Sequence, residues 1–144
     1  MTVKLYYEDL YVGYRLPQWS RTTDLMTWNR FAAVNDEFVY FHMDDDAGRA
    51  AKNQQGAFGM GNLRFSYLIN SIRDAFGDEV LIREVGCSYR AINQKGDTLS
   101  VTAEVDRLWI EEGECMVYLV MDAVNQDGTS TCPGHSVLVV PSRG

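Results

Sequence analysis

Residues 60–76, MGNLRFSYLINSIRDAF, most constrain what this chain can fold into. At helical spacing Leu63, Ser66 and Tyr67 fall along one side, while Phe65, Leu68, Ile69, Ile72 and Phe76 fill most of the rest. A helix apolar over more than one stripe has to be buried. Gly77 supplies its stop. Directly afterwards the hydrophobic period changes from that of a helix to two. Residues 80–92 are expected as one long strand, and residues 93–97, with Gly96, as a hairpin turn. Leu99, Val101, Ala103 and Val105 alternate with polar residues, the mark of an antiparallel strand with one face in a core. Residues 111–114 turn the chain and 115–124 form a third strand. Asn125, Asp127 and Gly128 turn it again before a last strand at 130–140, where Pro133 restricts pairing. A sheet with one apolar face and a single apolar helix have a joint solution: the sheet curls around the helix. The expected fold is therefore α+β. Its sheet edge stays open, and open edges invite pairing, so a dimer that extends the sheet is expected.

Ahead of the helix, residues 5–16 carry Tyr6, Tyr7, Tyr11 and Tyr14 around a turn at Val12 and Gly13, and Pro17 ends them. An extended segment, not a helix, laying tyrosines on a core face is expected there. Arg21 and Thr22 read as a short strand. Thr23 or Asp24 can cap a helix, in which Leu25, Met26, Trp28, Phe31, Ala32 and Val34 recur at helical spacing to about Asn35. Residues 36–43 keep neither period and read as an ordered loop anchored by Phe38, Val39 and Phe41. Asp44, Asp45 and Asp46 offset the positive end of a short helix over 45–52, and 53–59 is loop.

The chain, at 144 residues, is read as one domain, 1–144, with room for a real core. Its net charge of −7 argues against a nucleic-acid partner, which calls for a basic stripe. No apolar run approaches the roughly 20 residues that cross a bilayer. Tyr6, Glu8 and Asp9 come too early for a basic-then-apolar leader, so a cytoplasmic protein without a membrane partner is expected. Cys87, Cys115 and Cys132 form no CxxC pair and are expected as buried free thiols. No metal site is expected: no histidine beyond His42 lies near the aspartate run. Gly56, Gly59 and Gly61 do not make a phosphate loop, because no strand precedes and no Lys-Ser/Thr follows. His135, in the last strand, reads as structural.

The chemistry gathers in residues 32–61, AAVNDEFVYFHMDDDAGRAAKNQQGAFGMG. His42, one of only two histidines, lies within six positions of Asp36 and Glu37. An imidazole and a carboxylate on a loop, followed by a glycine-rich helix start, could form an acid–base pair and an oxyanion site.

With these residues in place, the chain resembles the hot-dog-fold MaoC-like dehydratases, or (R)-specific enoyl-CoA hydratases (hydratase 2), over nearly its whole length. The opening YYEDLYVGYRLP is similar to the family's aromatic-acidic-Val-Gly entry. Residues 24–35 sit where the family has its first helix, and CSYRAINQKGDTLSVTAEV is similar to its return strands around a Gly-Asp turn, here Gly96 and Asp97. The family signature is Gly-Asp-x-Asn-Pro-(Ile/Leu)-His, then a small-residue helix, then a loop ending in His-Gly. Anchored on His42 without gaps, Phe41 stands at the Ile/Leu position, Tyr40 at Pro, Val39 at Asn and Glu37 at the catalytic Asp. Asp36 falls on the glycine, and a one-residue insertion would make Asp36 the acid instead. Gly61 matches the later glycine, and Met60 replaces its histidine.

The resemblance implies a hydratase or dehydratase acting at the 2,3-position of an acyl-CoA or related thioester, with coenzyme A present only as part of the substrate. It implies His42 as the group taking the water proton, Glu37 or Asp36 as the acid supplying the α-proton, and the Gly61 N–H as donor to the enolate oxygen. Tyr40, Phe41, Phe58, Met60 and Arg90 are expected to contact substrate, Arg90 together with Lys95 toward the coenzyme A phosphates. Glu37 and His42 are five residues apart, up to about 17 Å in a straight chain. The loop must therefore fold back, pinned by Phe38, Val39 and Phe41. A homodimer or higher hot-dog oligomer is implied, or a heteromer with a second hot-dog chain. The alternative is a non-catalytic, acyl-chain-binding subunit of a two-chain dehydratase, which the missing Asn and Pro and Met60 would fit. A hot-dog thioesterase fits less well: its acid sits on the central helix, where only Asp74 is available, near the far end.

Overall fold

The computed structural model describes residues 4–144, so the first three positions of the expected 1–144 domain lie outside the described residues. Three helices, α1 (Leu25–Asn35), α2 (Asp45–Ala50) and α3 (Gly61–Phe76), accompany five strands. These are β1 (Trp19–Thr22), β2 (Leu81–Cys87), β3 (Thr98–Glu111), β4 (Glu114–Val124) and β5 (Gly134–Val139). The strands form one sheet in the order β1-β3-β4-β5-β2, every neighbouring pair antiparallel. Register shifts between Val105 and Arg107 and between Ile82 and Glu84 bend the ladder locally.

The curled sheet faces α3. On β3, Leu99, Val101, Ala103 and Val105 are buried, and on β4 so are Val117, Leu119, Met121 and Ala123. From α3, Leu63, Tyr67, Leu68, Ile72, Ala75 and Phe76 join the same cluster. Each large apolar side chain so buried contributes about 1.5–3 kcal/mol. Asp24 caps α1 through Thr27 N at 2.8 Å, and Asp44 caps α2 through Ala47 N at 2.8 Å. Gly77 ends α3 at φ +85°, a conformation that glycine adopts without strain. Glu112 and Gly113 both take positive φ in the β3–β4 turn, which matches the strand twist. No described helix is long and apolar enough to cross a membrane.

Several boundaries differ from the sequence expectation. The strand expected over 80–92 ends at Cys87. Residues 88–90 still run beside 131–133, with Ser88 N donating to Pro133 O at 2.9 Å and Arg90 N to Thr131 O at 3.0 Å. Pro133 has no N–H to return, so the ladder thins there, and the last strand likewise begins only at Gly134. β3 runs on to Glu111, well past its alternating stretch. The short helix stops at Ala50, not Lys52. At the N-terminus Leu5, Leu10 and Leu16 fill the core, whereas Tyr11 is 64% exposed and Tyr7 and Tyr14 only flank it. A single 3₁₀ turn, Tyr7–Asp9, interrupts the expected extended segment. All three cysteines are free thiols; Cys132 is buried, and Cys87 and Cys115 are partly exposed.

Candidate active site

The fold-back that the loop required is present. Helix α1 ends in a left-handed Asp36, and Glu37 N then reaches back to Ala32 O at 3.0 Å. Tight turns follow: Val39 N to Glu37 O at 3.1 Å, His42 N to Val39 O at 2.9 Å, and a 3₁₀ turn over Tyr40–His42. Phe41 pins the bend by stacking on Phe58, centroids 5.2 Å apart and planes 9° apart. His42 lies edge-on to both rings, at 4.5 and 5.1 Å. Phe38, expected as a second pin, is 56% exposed and does not serve as one.

His42 is buried, and its Nδ1 lies 2.6 Å from the carbonyl oxygen of Phe58. A carbonyl can only accept, so Nδ1 carries the proton and the neutral ring keeps its lone pair on Nε2. Burial lowers the imidazole pKa below its ordinary 6.5. The Phe58 hydrogen bond and the negative charge of Glu37 oppose that shift, while Arg64 adds to it. No hydrogen bond or ion pair joins His42 to Glu37 among the described residues. Asp36 is an exposed helix end.

Glu37 is tied to the start of α3. Asn62 Nδ2 donates to Glu37 Oε2 at 3.1 Å, and the Tyr89 hydroxyl donates to Asn62 Oδ1 at 3.2 Å. The Tyr89 ring packs on Gly61, in the space a Cβ would fill. Gly61 does permit a close approach, and the group approaching it is this ring. As the first residue of α3, Gly61 has an N–H without an intrahelical acceptor. Met60 gives the helix no side-chain cap and is fully buried in the core. Tyr40 is 82% exposed beside the loop, and Arg90 is exposed. Lys95 pairs with Asp45 at 2.5 Å. Asp74 is exposed near the far end of α3, and His135 pairs with Glu84 at 2.5 Å and stacks on Tyr118.

The loop that carries Phe58 is held from behind. Asn53 Nδ2 donates to Gly56 O at 2.7 Å and to Gln94 Oε1 at 2.9 Å, and Gly59 N donates to Asn93 O at 2.8 Å. Ala57 N donates to Asp45 Oδ1 at 3.0 Å. Helix α2 approaches the same loop so closely that a Cβ on Gly48 would strike the backbone of Gly56. Asp44 and Asp45 therefore cap and clamp. No group of three or more His, Cys, Asp or Glu is arranged for a metal among the described residues. A cavity of about 550 Å³ that shares no lining residue with this site lies between the segment around Arg15 and Gln18 and strands β3 and β4. It is lined by Thr102, Glu104, Val120 and Asp122 and contains no histidine or cysteine, so the geometry at His42 carries more chemistry.

Sequence reasoning missed Asn62, Tyr89 and Arg64. Tyr89 gave no local signal, because its contact with Gly61 depends on the sheet path. Arg64 did: on a helix it shares a stripe with Leu68, Ser71 and Ile72, all buried, so the charge lies on the inward face.

No protein-family model and no curated protein sequence matches the chain. Solved structures do. An (R)-hydratase from A. caviae involved in PHA biosynthesis is 20% identical over 93% of this chain and 99% of its own, with a TM-score of 0.80. The unliganded R-hydratase PhaJ1 from Pseudomonas aeruginosa is 21% identical over 97% and 88%, with a TM-score of 0.84. A chain of the ChsH1–ChsH2 complex from Mycobacterium tuberculosis is 19% identical over 90% and 98%, with a TM-score of 0.79. A curled five-stranded antiparallel sheet around a long helix, superposing on these over nearly its full length, is the hot-dog fold of the (R)-hydratases and MaoC-like dehydratases.

Proposed function

We propose that the chain is a hydratase or dehydratase acting at the 2,3-position of an acyl-CoA or related thioester. The observation that carries this is the buried His42, its proton held on Nδ1 by the Phe58 carbonyl so that Nε2 keeps a lone pair, on the same folded-back loop as Glu37, which is tied through Asn62 to the start of α3 where the Gly61 amide has no intrahelical acceptor. In hydration, water oxygen bonds to Cβ as His42 Nε2 takes one water proton. The double-bond electrons move toward the thioester oxygen, where the Gly61 N–H stabilises the enolate. The proton that His42 takes from water is passed to the Glu37 carboxylate, which delivers it to Cα, so both groups end the cycle as they began. Dehydration is the same sequence reversed. Each proton transfer is worth roughly a hundredfold to ten-thousandfold. Glu37, not Asp36, is assigned as the acid, because Asp36 is an exposed helix end. Phe41 and Phe58 would line the acyl group, and Arg90 would lie toward coenzyme A. The active form is proposed to be a homodimer.

Following loss of enoyl absorbance with crotonyl-CoA tests the assignment. His42→Ala and Glu37→Gln are each expected to lower kcat by about a hundredfold or more. Wild-type protein inactive on short, branched and steroid-like enoyl thioesters would sink it. Tyr89 against Gly61 favours a second reading, a non-catalytic subunit whose site is filled by its own side chain. That reading expects Tyr89→Ala to leave the protein inactive.

A further inference from the structure

Arg64 lies in the first turn of α3 and is only 5% exposed. The positive end of a helix disfavours a cation there. Its Nη1 donates to the carbonyls of Ala91 at 2.5 Å and Thr131 at 3.0 Å, but its buried Nε has no acceptor. No carboxylate pairs with Arg64 among the described residues. Its other neighbours are the Tyr89 ring, 5.2 Å from Cζ, and the thiols of Cys87 and Cys132. Burial pushes the Cys132 thiol up to about 12, so it stays neutral. Carbonyl dipoles offset part of the charge, yet a cation out of water calls for an anion.

The position says which anion. Arg64 is three residues, about 4.5 Å along the axis, from the amide assigned to the thioester oxygen. The phosphates of coenzyme A stand at the far end of the pantetheine arm. The half-exposed Tyr89 lies against both groups, its ring in the Cβ space of Gly61 and 5.2 Å from the Arg64 Cζ, and its hydroxyl hydrogen-bonds Asn62. Its rotation would uncover Gly61 and Arg64 together. With Nε free, the guanidinium can offer the two-pronged donor geometry that fits a carboxylate. Resting on the reading of the site given above, we infer that Arg64 binds a carboxylate on the acyl part of the substrate. The substrate class is then the coenzyme A monothioester of an unsaturated dicarboxylic acid.

Calorimetric binding of succinyl-CoA against butyryl-CoA tests this without turnover, since the two share coenzyme A and differ in the terminal carboxylate. Wild type should bind succinyl-CoA about 10- to 100-fold more tightly. Arg64→Leu should erase the difference and leave butyryl-CoA binding unchanged, and Arg64→Lys should keep part of it. Equal weakening of both ligands in Arg64→Leu would assign the residue to coenzyme A or to the fold and overturn the proposal. So would a wild type with no preference, or one that binds neither. Should Arg64→Leu not fold, the wild-type preference and its reduction in Arg64→Lys decide. Selective binding with no hydration of fumaryl-CoA would leave this inference standing while the catalytic reading fails.

Discussion

At the scale of single residues, the Phe58 carbonyl decides what His42 can do. By holding the proton on Nδ1 it leaves Nε2 basic, and burial keeps the ring neutral to lower pH. The acid limb of kcat/KM for hydration should therefore fall below pH 6.5, not at it; a limb at or above 6.5 would contradict the environment described. Stability follows with a definite sign. The folded ring titrates below 6.5 and the unfolded one near it, so as pH drops through 6.5 the unfolded chain takes up protons first and stability declines. His42→Gln should abolish that part of the decline, read as urea midpoints at pH 7.5 and pH 5.5. Asn62 acts through Glu37, so Asn62→Leu should lower kcat by about ten- to a hundredfold with an unchanged melting temperature. That the loop must fold back around His42 was legible in the sequence, which has only two histidines. The placement of Asp36 and Glu37 was not, because it turns on one left-handed residue at the end of α1.

At the scale of elements, period and turn chemistry placed the three α-helices and five strands, but not their lengths or the two 3₁₀ turns. Hydrophobic alternation reports which face is buried and says nothing about a missing donor, so the thinning of the ladder opposite Pro133 was visible only as a restriction. The tyrosine-rich entry misled for a related reason: tyrosines can flank a core while leucines two or three positions away fill it. The clamp of α2 on the Phe58 loop left no trace in the pattern, since a glycine at position 48 reads as a weak helix residue until its neighbour is known. Gly48→Ala should cost about 1–3 kcal/mol of stability, measured by denaturant unfolding. It should also lower activity, because a shift at Gly56 carries the Phe58 carbonyl away from His42. Loss of the α1 cap in Asp24→Ala should lower stability less and leave activity intact. Equal activity in the two variants would show that the clamp does not hold the site.

At the scale of the whole molecule, curl and layer order were legible because one buried helix and one long meander admit few arrangements. The closing wall of the site was not, because in the proposed dimer a second chain would supply it. Val34 is 84% exposed, Phe38 56% and Tyr40 82%, all on or beside the loop that carries Glu37 and His42. Apolar groups so concentrated mark a surface that another surface covers. The short β1 and the seven-residue β2 are the open edges of the sheet. A dimer of ordinary size would cover about 800 Å² of each protomer's 8020 Å², roughly a tenth. Sedimentation of wild type at micromolar concentration should give twice 16.3 kDa. The pair Val34→Asp with Tyr40→Asp should give the single mass, because a buried carboxylate without a partner disfavours association. If protomers wall the site for one another, hydration should vanish with the dimer while the monomer stays folded, seen as an unchanged far-ultraviolet dichroism. A wild type that is monomeric and fully active would refute the shared wall.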